Sequence, residues 1–186
     1  MNFPEKKFIL KDGRTCVLKP TTPDYAEEMI EYMKATAAET PFLLRYPDEV
    51  RYTVERERGL LAEMFEDPYS IMMLPIVDGK VAGNGSINGI GTKRKIIHRC
   101  SLAIALYKEY WGLGIGTAMI EYMCELAAQI GWQQVDLEVV AENENAQALY
   151  RKCGFIESGR IHNAVRYEDG SYHDFVVMYK DLTALQ

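Results

Sequence analysis

The sequence predicts an α/β fold, and two segments in the middle of the chain carry that prediction. In the first, the strand-like residues 96–106 run into a glycine-rich loop and then into an amphipathic helix. In the second, alternating Val135, Leu137 and Val139 indicate a strand, a helix pattern follows, and Gly154 ends that helix before another strand. Strands that alternate with helices in this way are typical of an α/β domain.

The other elements are predicted from turn signals and from apolar spacing. Asp12-Gly13 and Asp78-Gly79 each mark a turn between two strands. Apolar residues at helical spacing predict one helix over residues 22–33 and a second, capped by Thr53, over residues 54–65. The strands are expected at residues 8–10, 15–19, 71–77, 81–90, 96–106, 135–140, 155–163 and 172–179.

Bulk properties favour one domain over residues 1–186. A chain of 186 residues can bury about 70% of its unfolded surface, which is enough for a well-formed core. Its hydrophobic content of 48% and charged content of 26% are ordinary for a globular protein. The cysteines are far apart in sequence, which indicates reduced thiols rather than a disulfide framework; they are Cys16, Cys100, Cys124 and Cys153.

Charge and hydropathy limit the partners that we expect. A formal net charge of −6 argues against nucleic acid and favours small cationic partners. The basic cluster Lys93-Arg94-Lys95 is more typical of a solvated hairpin tip than of a patch that binds a phosphate group. No segment has the apolar length of a signal peptide or a membrane span. We therefore expect a cytoplasmic protein without membrane or nucleic-acid partners.

Three glycines stand at alternate positions in Trp111-Gly112-Leu113-Gly114-Ile115-Gly116-Thr117, where a strand gives way to a helix. Main-chain amides at such a junction point outward at the positive end of the helix dipole, which is a site for phosphate or pyrophosphate. A tight turn without a ligand is the alternative interpretation. The spacing is not that of the dinucleotide motif G-x-G-x-x-G, and the chain has no Gly-Lys-Ser/Thr of a P-loop.

A second motif lies at residues 143–155, Asn143-Glu144-Asn145-Ala146-Gln147-Ala148-Leu149-Tyr150-Arg151-Lys152-Cys153-Gly154-Phe155. Asn143 is a favourable N-cap for a helix. Ala146, Leu149 and Tyr150 share one face of that helix, which places an aromatic hydroxyl beside the predicted sheet.

Together the two motifs resemble those of the GCN5-related N-acetyltransferase (GNAT) superfamily. The loop signature of that family is Gln/Arg-x-x-Gly-x-Gly/Ala, and here Trp111, Gly114 and Gly116 occupy its marked positions. The second signature is Asn-x-x-Ala-x-x-Leu-Tyr-x-x-x-Gly-Phe, which is met at Asn143, Ala146, Leu149, Tyr150, Gly154 and Phe155. The resemblance covers residues 96–155, and the flanks agree only in their order of strands and helices.

The resemblance implies a GNAT-like domain whose central sheet is mixed, mostly antiparallel and twisted, with about seven strands and about four helices on its faces. It implies transfer of acetyl from acetyl-CoA directly to a primary amine of a small molecule, or to the N-terminus or a lysine of a peptide or protein. It implies no metal. Two alternatives keep the fold, namely a sensor that binds acetyl-CoA without turnover and an enzyme that uses a longer acyl-CoA.

The resemblance also implies which residues hold the cofactor. The strand before the glycine loop would offer main-chain groups to the pantetheine arm and to the thioester carbonyl, and the loop would hold the phosphates. The implied residues are Ile104, Ala105, Leu106, Trp111, Gly112, Leu113, Gly114, Ile115, Gly116, Thr117, Asn143, Ala146, Tyr150 and Lys152.

Tyr150 is the side chain for which the resemblance implies a catalytic role, since relatives place the matching tyrosine beside the thioester sulfur. A phenol with a pKa near 10 can protonate a departing thiolate that lies within hydrogen-bond reach. The alternative is a core tyrosine that packs the helix against the sheet.

The general base is not assigned by the motifs, because Ser101 stands where many relatives have a glutamate. An alkyl ammonium must lose a proton before its nitrogen can attack a thioester. The candidates are His98 on the same strand, Glu138 on the next strand and Glu39 in a loop, with a water relay as the alternative.

The acceptor site would lie, by resemblance, between residues 39–47 and residues 161–174. Within the first of these segments, Phe42-Leu43-Leu44-Arg45-Tyr46 forms an apolar patch with one charge, which suits a small amine, an amino acid or a peptide end. A homodimer contact is the alternative use of the same residues. Glu39, Asp174 and the acidic balance of the chain favour a cationic acceptor.

Overall fold

A mixed sheet with helices on its faces forms the fold. The computed structural model describes residues 1–185, so residue 186, the last of the predicted domain, lies outside the described residues. The strands are β1 (Lys6–Ile9), β2 (Thr15–Pro20), β3 (Ser70–Val77), β4 (Lys80–Val81), β5 (Gly83–Gly89), β6 (Arg99–Leu106), β7 (Gln134–Val140), β8 (Ile156–Arg166) and β9 (Tyr172–Asp181). The helices are α1 (Ala26–Glu39), α2 (Val54–Glu66), α3 (Ile115–Ile130) and α4 (Glu144–Lys152).

The strands of the described residues form one sheet in the order β1-β2-β3-β5-β6-β7-β9-β8, with β4 beside β3. Neighbouring strands are antiparallel except β6 and β7, which are parallel. The predicted fold class is therefore confirmed, although the strands number nine rather than about seven. One reason is that the predicted strand 81–90 is divided at Ala82, whose amide donates to the carbonyl of Pro75 (2.8 Å).

β6 begins at Arg99, three residues later than the sequence predicts. Residues 93–97 form turns instead, because the amides of Ile96 and Ile97 both donate to the carbonyl of Lys93 (2.9 Å each). The basic side chains of Lys93, Arg94 and Lys95 consequently lie on an exposed turn.

The parallel pair β6–β7 separates after a short paired stretch. Its register contains three pairs, Arg99 with Gln134, Cys100 with Val135 and Ser101 with Asp136. Beyond them β6 continues to Leu106 along β5, and β7 continues to Val140 along β9. The sheet is thus continuous at one end of these strands and split at the other.

Two apolar cores hold helices against opposite faces of the sheet. Met73 packs with α3 on one face, and the next residue, Leu74, packs with α1 and α2 on the other. The alternation follows from the two-residue period of a strand. The α3 core also contains four free cysteines, namely Cys16, Cys100, Cys124 and Cys153.

Within residues 1–185, none of the helices combines the length and the apolar character needed to cross a lipid bilayer. The same part of the chain brings together no group of three or more His, Cys, Asp and Glu side chains arranged to hold a metal ion.

Gly83 at the start of β5 allows β6 to approach closely beside the split. A Cβ at this position would lie 2.6 Å from the carbonyl oxygen of Ala105 and would overlap the side chain of Leu106. Both neighbours belong to the part of β6 that has left β7, so β5 alone holds this segment in the sheet.

We predict that Gly83→Ala lowers the free energy of unfolding by about 2 kcal/mol, because the methyl group meets main-chain atoms that cannot rotate away. Gly59→Ala is the matched control. A Cβ at Gly59 meets nothing within 4 Å, and alanine in the interior of α2 is expected to add about 0.5–1 kcal/mol. Urea denaturation of both variants measures the difference, and equal effects of the two substitutions would contradict the packing described for Gly83.

Candidate functional site

A cavity of about 810 Å³ lies where β6 and β7 separate. Its walls include Leu102, which packs in the α3 core, and Ala105, which packs in the core of α1 and α2. Because residues from both faces of the sheet line it, the cavity passes through the split. A volume of this size is typical of a small-molecule site.

The open edge of β6 presents main-chain groups to this cavity. Successive residues of a strand direct their amide and carbonyl groups to opposite edges. The carbonyl of His98 accepts hydrogen bonds from the start of β7. The main-chain groups of Leu102, Ile104 and Leu106, which lie an even number of residues further on, therefore face the same edge of β6. The carbonyl of Leu106 accepts from the indole Nε1 of Trp111 (3.0 Å). The register leaves Leu102 and Ile104 without a paired strand on this edge.

The N-terminus of α3 lies at one end of the cavity. Gly112 and Gly114 have positive φ angles of 76° and 97°, which side chains other than glycine rarely adopt. The first helical hydrogen bond runs from the amide of Ala118 to the carbonyl of Gly114 (3.2 Å), and no side chain caps the helix. The amides of residues 115–117 therefore have no helical acceptor, and such amides form a site for anions.

The third glycine of the loop has a different function. A Cβ at Gly116 would lie 2.9 Å from the Cδ2 atom of Leu149, so the bare backbone lets α4 pack against the first turn of α3. Helix α4 thereby reaches the cavity wall, where Leu149 and Tyr150 both line it.

Two lysines flank this end of the cavity. The Nζ atom of Lys152 lies 3.4 Å from the Oγ1 atom of Thr117. Lys11, in the turn after β1, lines the cavity as well, and its amide donates to the carbonyl of Leu113 (3.3 Å). Amides, helix dipole and two ammonium groups together give this end a positive potential.

Tyr150 lies in the wall of the cavity and is only 7% exposed. Burial raises the pKa of its phenol to about 12, so the hydroxyl stays protonated across the neutral range. Its ring packs on Phe155 with 5.8 Å between ring centroids. The hydroxyl makes no hydrogen bond within the part of the chain that the structure describes, and it is therefore available to a ligand.

The candidate bases lie in different places. Glu138 of β7 lines the cavity with its side chain exposed. His98 lies outside the cavity, at the continuous end of the β6–β7 pair. Glu39 also lies outside it, and its carboxylate accepts from the amide of Lys108 (2.8 Å). The hydroxyl of Ser101 donates to the carbonyl of Asn88 (3.4 Å) on the neighbouring strand.

The two segments expected at the acceptor site do meet. The hydroxyl of Tyr46 accepts a hydrogen bond from the amide of Glu168 (3.0 Å), which ties residues 40–46 to the turn between β8 and β9. A second cavity of about 280 Å³ lies between them. It shares Thr40, Leu43, Leu44 and Arg45 with the larger cavity, so the two cavities lie next to each other.

Most residues predicted for the cofactor line the larger cavity, namely Ile104, Ala105, Leu106, Trp111, Gly112, Gly114, Ile115, Gly116, Thr117, Asn143, Ala146, Tyr150 and Lys152. Leu113 does not line it and packs against the α3 core instead. The sequence did not indicate the other lining residues outside the predicted acceptor segment, namely Lys11, Thr36, Leu102, Ala103, Tyr110, Val139, Val140, Asn145, Leu149 and Phe175. Leu102 and Ala103 continue the predicted strand edge, whereas Lys11 and Phe175 are far from either motif in sequence.

A family comparison matches most of this architecture. A model of the acetyltransferase (GNAT) family matches residues 26–155, from the first residue of α1 to the residue after Gly154, which is more than half of the chain. The chain belongs to the acetyltransferase (GNAT) family. The match includes the split strands, the glycine loop and α4, and it confirms the resemblance carried by the two motifs.

Relatives of this family member differ widely in length. A mycothiol acetyltransferase from Clavibacter sepedonicus is 28% identical over 110 residues, which are 59% of this chain and 34% of that protein. The chain thus spans about a third of the length of the mycothiol acetyltransferases it matches.

Solved structures of the family extend the likeness to nearly the whole chain. A GNAT acetyltransferase from Streptococcus pneumoniae superposes with a TM-score of 0.84 at 26% identity, over 89% of this chain and 99% of that one. The protein yncA from Salmonella typhimurium, whose structure holds its cofactor acetyl-CoA, has a TM-score of 0.78 at 12% identity. The superposition covers 90% of this chain and 94% of that one, and at 12% identity it supports the fold alone.

Asn143 caps α4 at the cavity wall, because its Oδ1 atom accepts from the amide of Ala146 (3.1 Å). We predict that Asn143→Ala lowers the free energy of unfolding by about 1 kcal/mol. Asn143→Asp keeps an acceptor at the same place and should retain most of that stability. Guanidinium denaturation, compared at equal m-values, measures the free energy of unfolding of both variants. An equal loss of that free energy in the two variants would contradict the capping role.

Proposed function

We propose that this protein transfers acetyl from acetyl-CoA directly to a primary amine of a small molecule, peptide or protein. The observation that carries the proposal is the cavity through the split sheet, with an uncapped helix N-terminus at one end and a buried phenol in its wall. Family membership supports the same activity.

The cofactor would be held along the wall that β6, the glycine loop and α4 form. The amides of residues 115–117, with Lys11 and Lys152 beside them, suit the phosphates of CoA. The unpaired main-chain groups of Leu102 and Ile104 suit the amide groups of the pantetheine arm, since an extended ligand can pair with an open strand edge. Acetyl-CoA supplies an acyl group on a sulfur that leaves readily.

The transfer itself is a direct displacement. The amine nitrogen attacks the thioester carbonyl carbon and forms the C–N bond, the C–S bond breaks, and CoA leaves as a thiol. The ammonium first loses one proton to a base. After attack the nitrogen loses a second proton, which replaces the proton that Tyr150 gives to the departing sulfur. A main-chain amide at the open edge of β6, such as that of Ile104, would stabilise the negative charge that develops on the carbonyl oxygen.

Tyr150 is the proposed proton donor to the leaving sulfur. A cysteine-like thiol has a pKa of about 8.5 in water, which alone would make a phenol with a pKa of about 12 a poor donor. Burial acts on thiols in the same direction, since it raises the pKa of Cys124 to about 11. Burial beside Tyr150 would likewise make the departing thiolate more basic than in water, which reduces the pKa difference that opposes proton transfer.

Glu138 is the proposed base, acting directly or through water. Its side chain projects from the same face of the sheet as that of Ala103 and lines the cavity. On this face the substrate amine can approach the split from the side opposite α3, so amine and cofactor would meet inside the sheet. His98 and Glu39 have no such access, because neither lines the cavity.

Release of CoA thiol from acetyl-CoA, measured against a panel of polyamines, amino acids, aminoglycosides and short peptides, tests the proposal. We expect release that depends on one class of amine. Saturable binding of acetyl-CoA without release for any amine would favour a sensor, and release only with longer acyl-CoA would favour the other alternative. If acetyl-CoA does not bind at all, the assignment of the larger cavity as its site is contradicted.

We predict that Tyr150→Phe lowers kcat by about 100-fold, within the range for loss of a general acid, and leaves the Kd for acetyl-CoA nearly unchanged. Tyr122→Phe is the control, since Tyr122 is also buried but donates to the carbonyl of Pro4 (2.6 Å) and does not line the cavity. Steady-state kinetics and equilibrium titration separate the two effects. An undiminished kcat in Tyr150→Phe would remove the phenol from the mechanism.

A further inference from the structure

The second cavity contains two arginines that form no ion pair. Arg45 and Arg166 both line it, and neither has a carboxylate oxygen within 4.0 Å among residues 1–185. Arg166 instead lies over the ring of Tyr172, with its Cζ atom 5.7 Å from the ring centroid. Both arginines are exposed, so an anion that enters the cavity from solvent can reach their guanidinium groups.

Two carboxylates near these arginines form no ion pair with them. Asp169 lines the cavity, but it accepts from the amide and the hydroxyl of Ser171 (2.8 and 2.6 Å) and so turns onto its own loop. Glu57 is buried on α2, and burial raises the pKa of its carboxyl; Arg45 opposes that shift but does not come within ion-pair distance.

A third polar group in the wall also has no partner. The hydroxyl of Tyr167 is buried, and it makes no hydrogen bond to any residue from 1 to 185. Its ring stacks on His173 with 4.1 Å between centroids, and His173 lies 3.0 Å from Glu142, so this side of the cavity is firmly packed. This hydroxyl has almost no accessible surface, so a ligand in the cavity would contact the two arginines rather than the Tyr167 hydroxyl.

We propose that the acceptor is a free amino acid whose carboxylate is bound by Arg45 and Arg166. This inference rests on the proposed acetyl transfer and names the substrate class for it. Arginine is the residue best suited to a carboxylate, because its planar guanidinium can donate two parallel hydrogen bonds. The amine of the same molecule would point toward the larger cavity, past Thr40, Leu43 and Leu44, which line both cavities.

The position of the arginines disfavours the other acceptor classes. In a peptide or protein N-terminus, the group next to the amine is a neutral amide and not a carboxylate. A polyamine would place a second cation beside two guanidinium groups, which like-charge repulsion opposes. The cationic acceptor favoured by the sequence depended on Glu39 and Asp174. Both are engaged elsewhere, since Asp174 bonds to His162 and to the amide of Asn163.

The rest of the second cavity is mostly apolar. Ala37, Pro41, Leu43, Leu44 and Val165 supply its carbon surface. An apolar side chain on the amino acid would remove this surface from water, which stabilises the complex in proportion to the area buried. We therefore expect leucine, methionine or phenylalanine to be better acceptors than aspartate or lysine.

The test compares each of these three amino acids with its primary amide. The primary amide lacks the carboxylate, and its amine is less basic, so a larger fraction of that amine is unprotonated at neutral pH. A faster reaction of the free acid therefore cannot come from amine basicity. We expect kcat/KM to be about 10- to 100-fold higher for the acid, and Arg45→Gln or Arg166→Gln to reduce that ratio about tenfold or more. Arg58→Gln, on the exposed surface of α2, is the control that should leave the ratio unchanged.

Equilibrium titration of the same compounds in the presence of CoA separates this inference from the proposed function. Arg45-dependent binding of the acid without turnover for any amine would contradict acetyl transfer and leave the carboxylate site standing. Turnover with equal kcat/KM for acid and amide would overturn the carboxylate site while acetyl transfer stands. The absence of both binding and turnover for the three amino acids would also overturn the inference.

Discussion

Strands β6 and β7 pair for only three residues, and the rest of the site depends on where that pairing stops. A buried strand edge without a partner leaves amide and carbonyl groups that must bind water or a ligand. The split therefore creates both a passage through the sheet and a row of main-chain groups along one wall of it. A sheet that stayed paired to Leu106 would have neither.

The surrounding packing holds the split open. Gly83 lets β5 keep its register with the free part of β6, while the side chain of Trp111 binds the carbonyl of Leu106. Tyr32 of α1 donates to the carbonyl of Ala105 (2.9 Å) from the other face of the sheet. On the opposite side, Phe175 of β9 pairs with Val140 at the end of β7. Groups fixed in this way need little rearrangement when a ligand binds, which is the basis of electrostatic preorganisation.

Sequence patterns predicted those parts of the site that are built locally. The glycine loop and the Asn143 helix each occupy one continuous segment. The first predicts free amides at a helix N-terminus and the second predicts an aromatic hydroxyl on a helix, while the place of Tyr150 beside the cofactor was implied by the resemblance. The parts that depend on long-range pairing were not predictable. Lys11 reaches the cavity because the turn after β1 lies beside the glycine loop, where the amide of Lys11 bonds to the carbonyl of Leu113. His98 lies at the continuous end of the β6–β7 pair, because β6 starts at Arg99. The second cavity forms between two segments more than 100 residues apart, as the contact between Tyr46 and Glu168 illustrates.

Amide hydrogen exchange with and without acetyl-CoA tests most directly whether the split sheet and the α3 N-terminus form one binding site. Amides on an open strand edge exchange readily until a ligand protects them. Saturating acetyl-CoA should slow exchange at the amides of Leu102, Ile104 and Leu106 and at residues 112–117 together, with little change at residues 134–136, which are already paired. Saturable binding that leaves both segments unprotected would contradict the account.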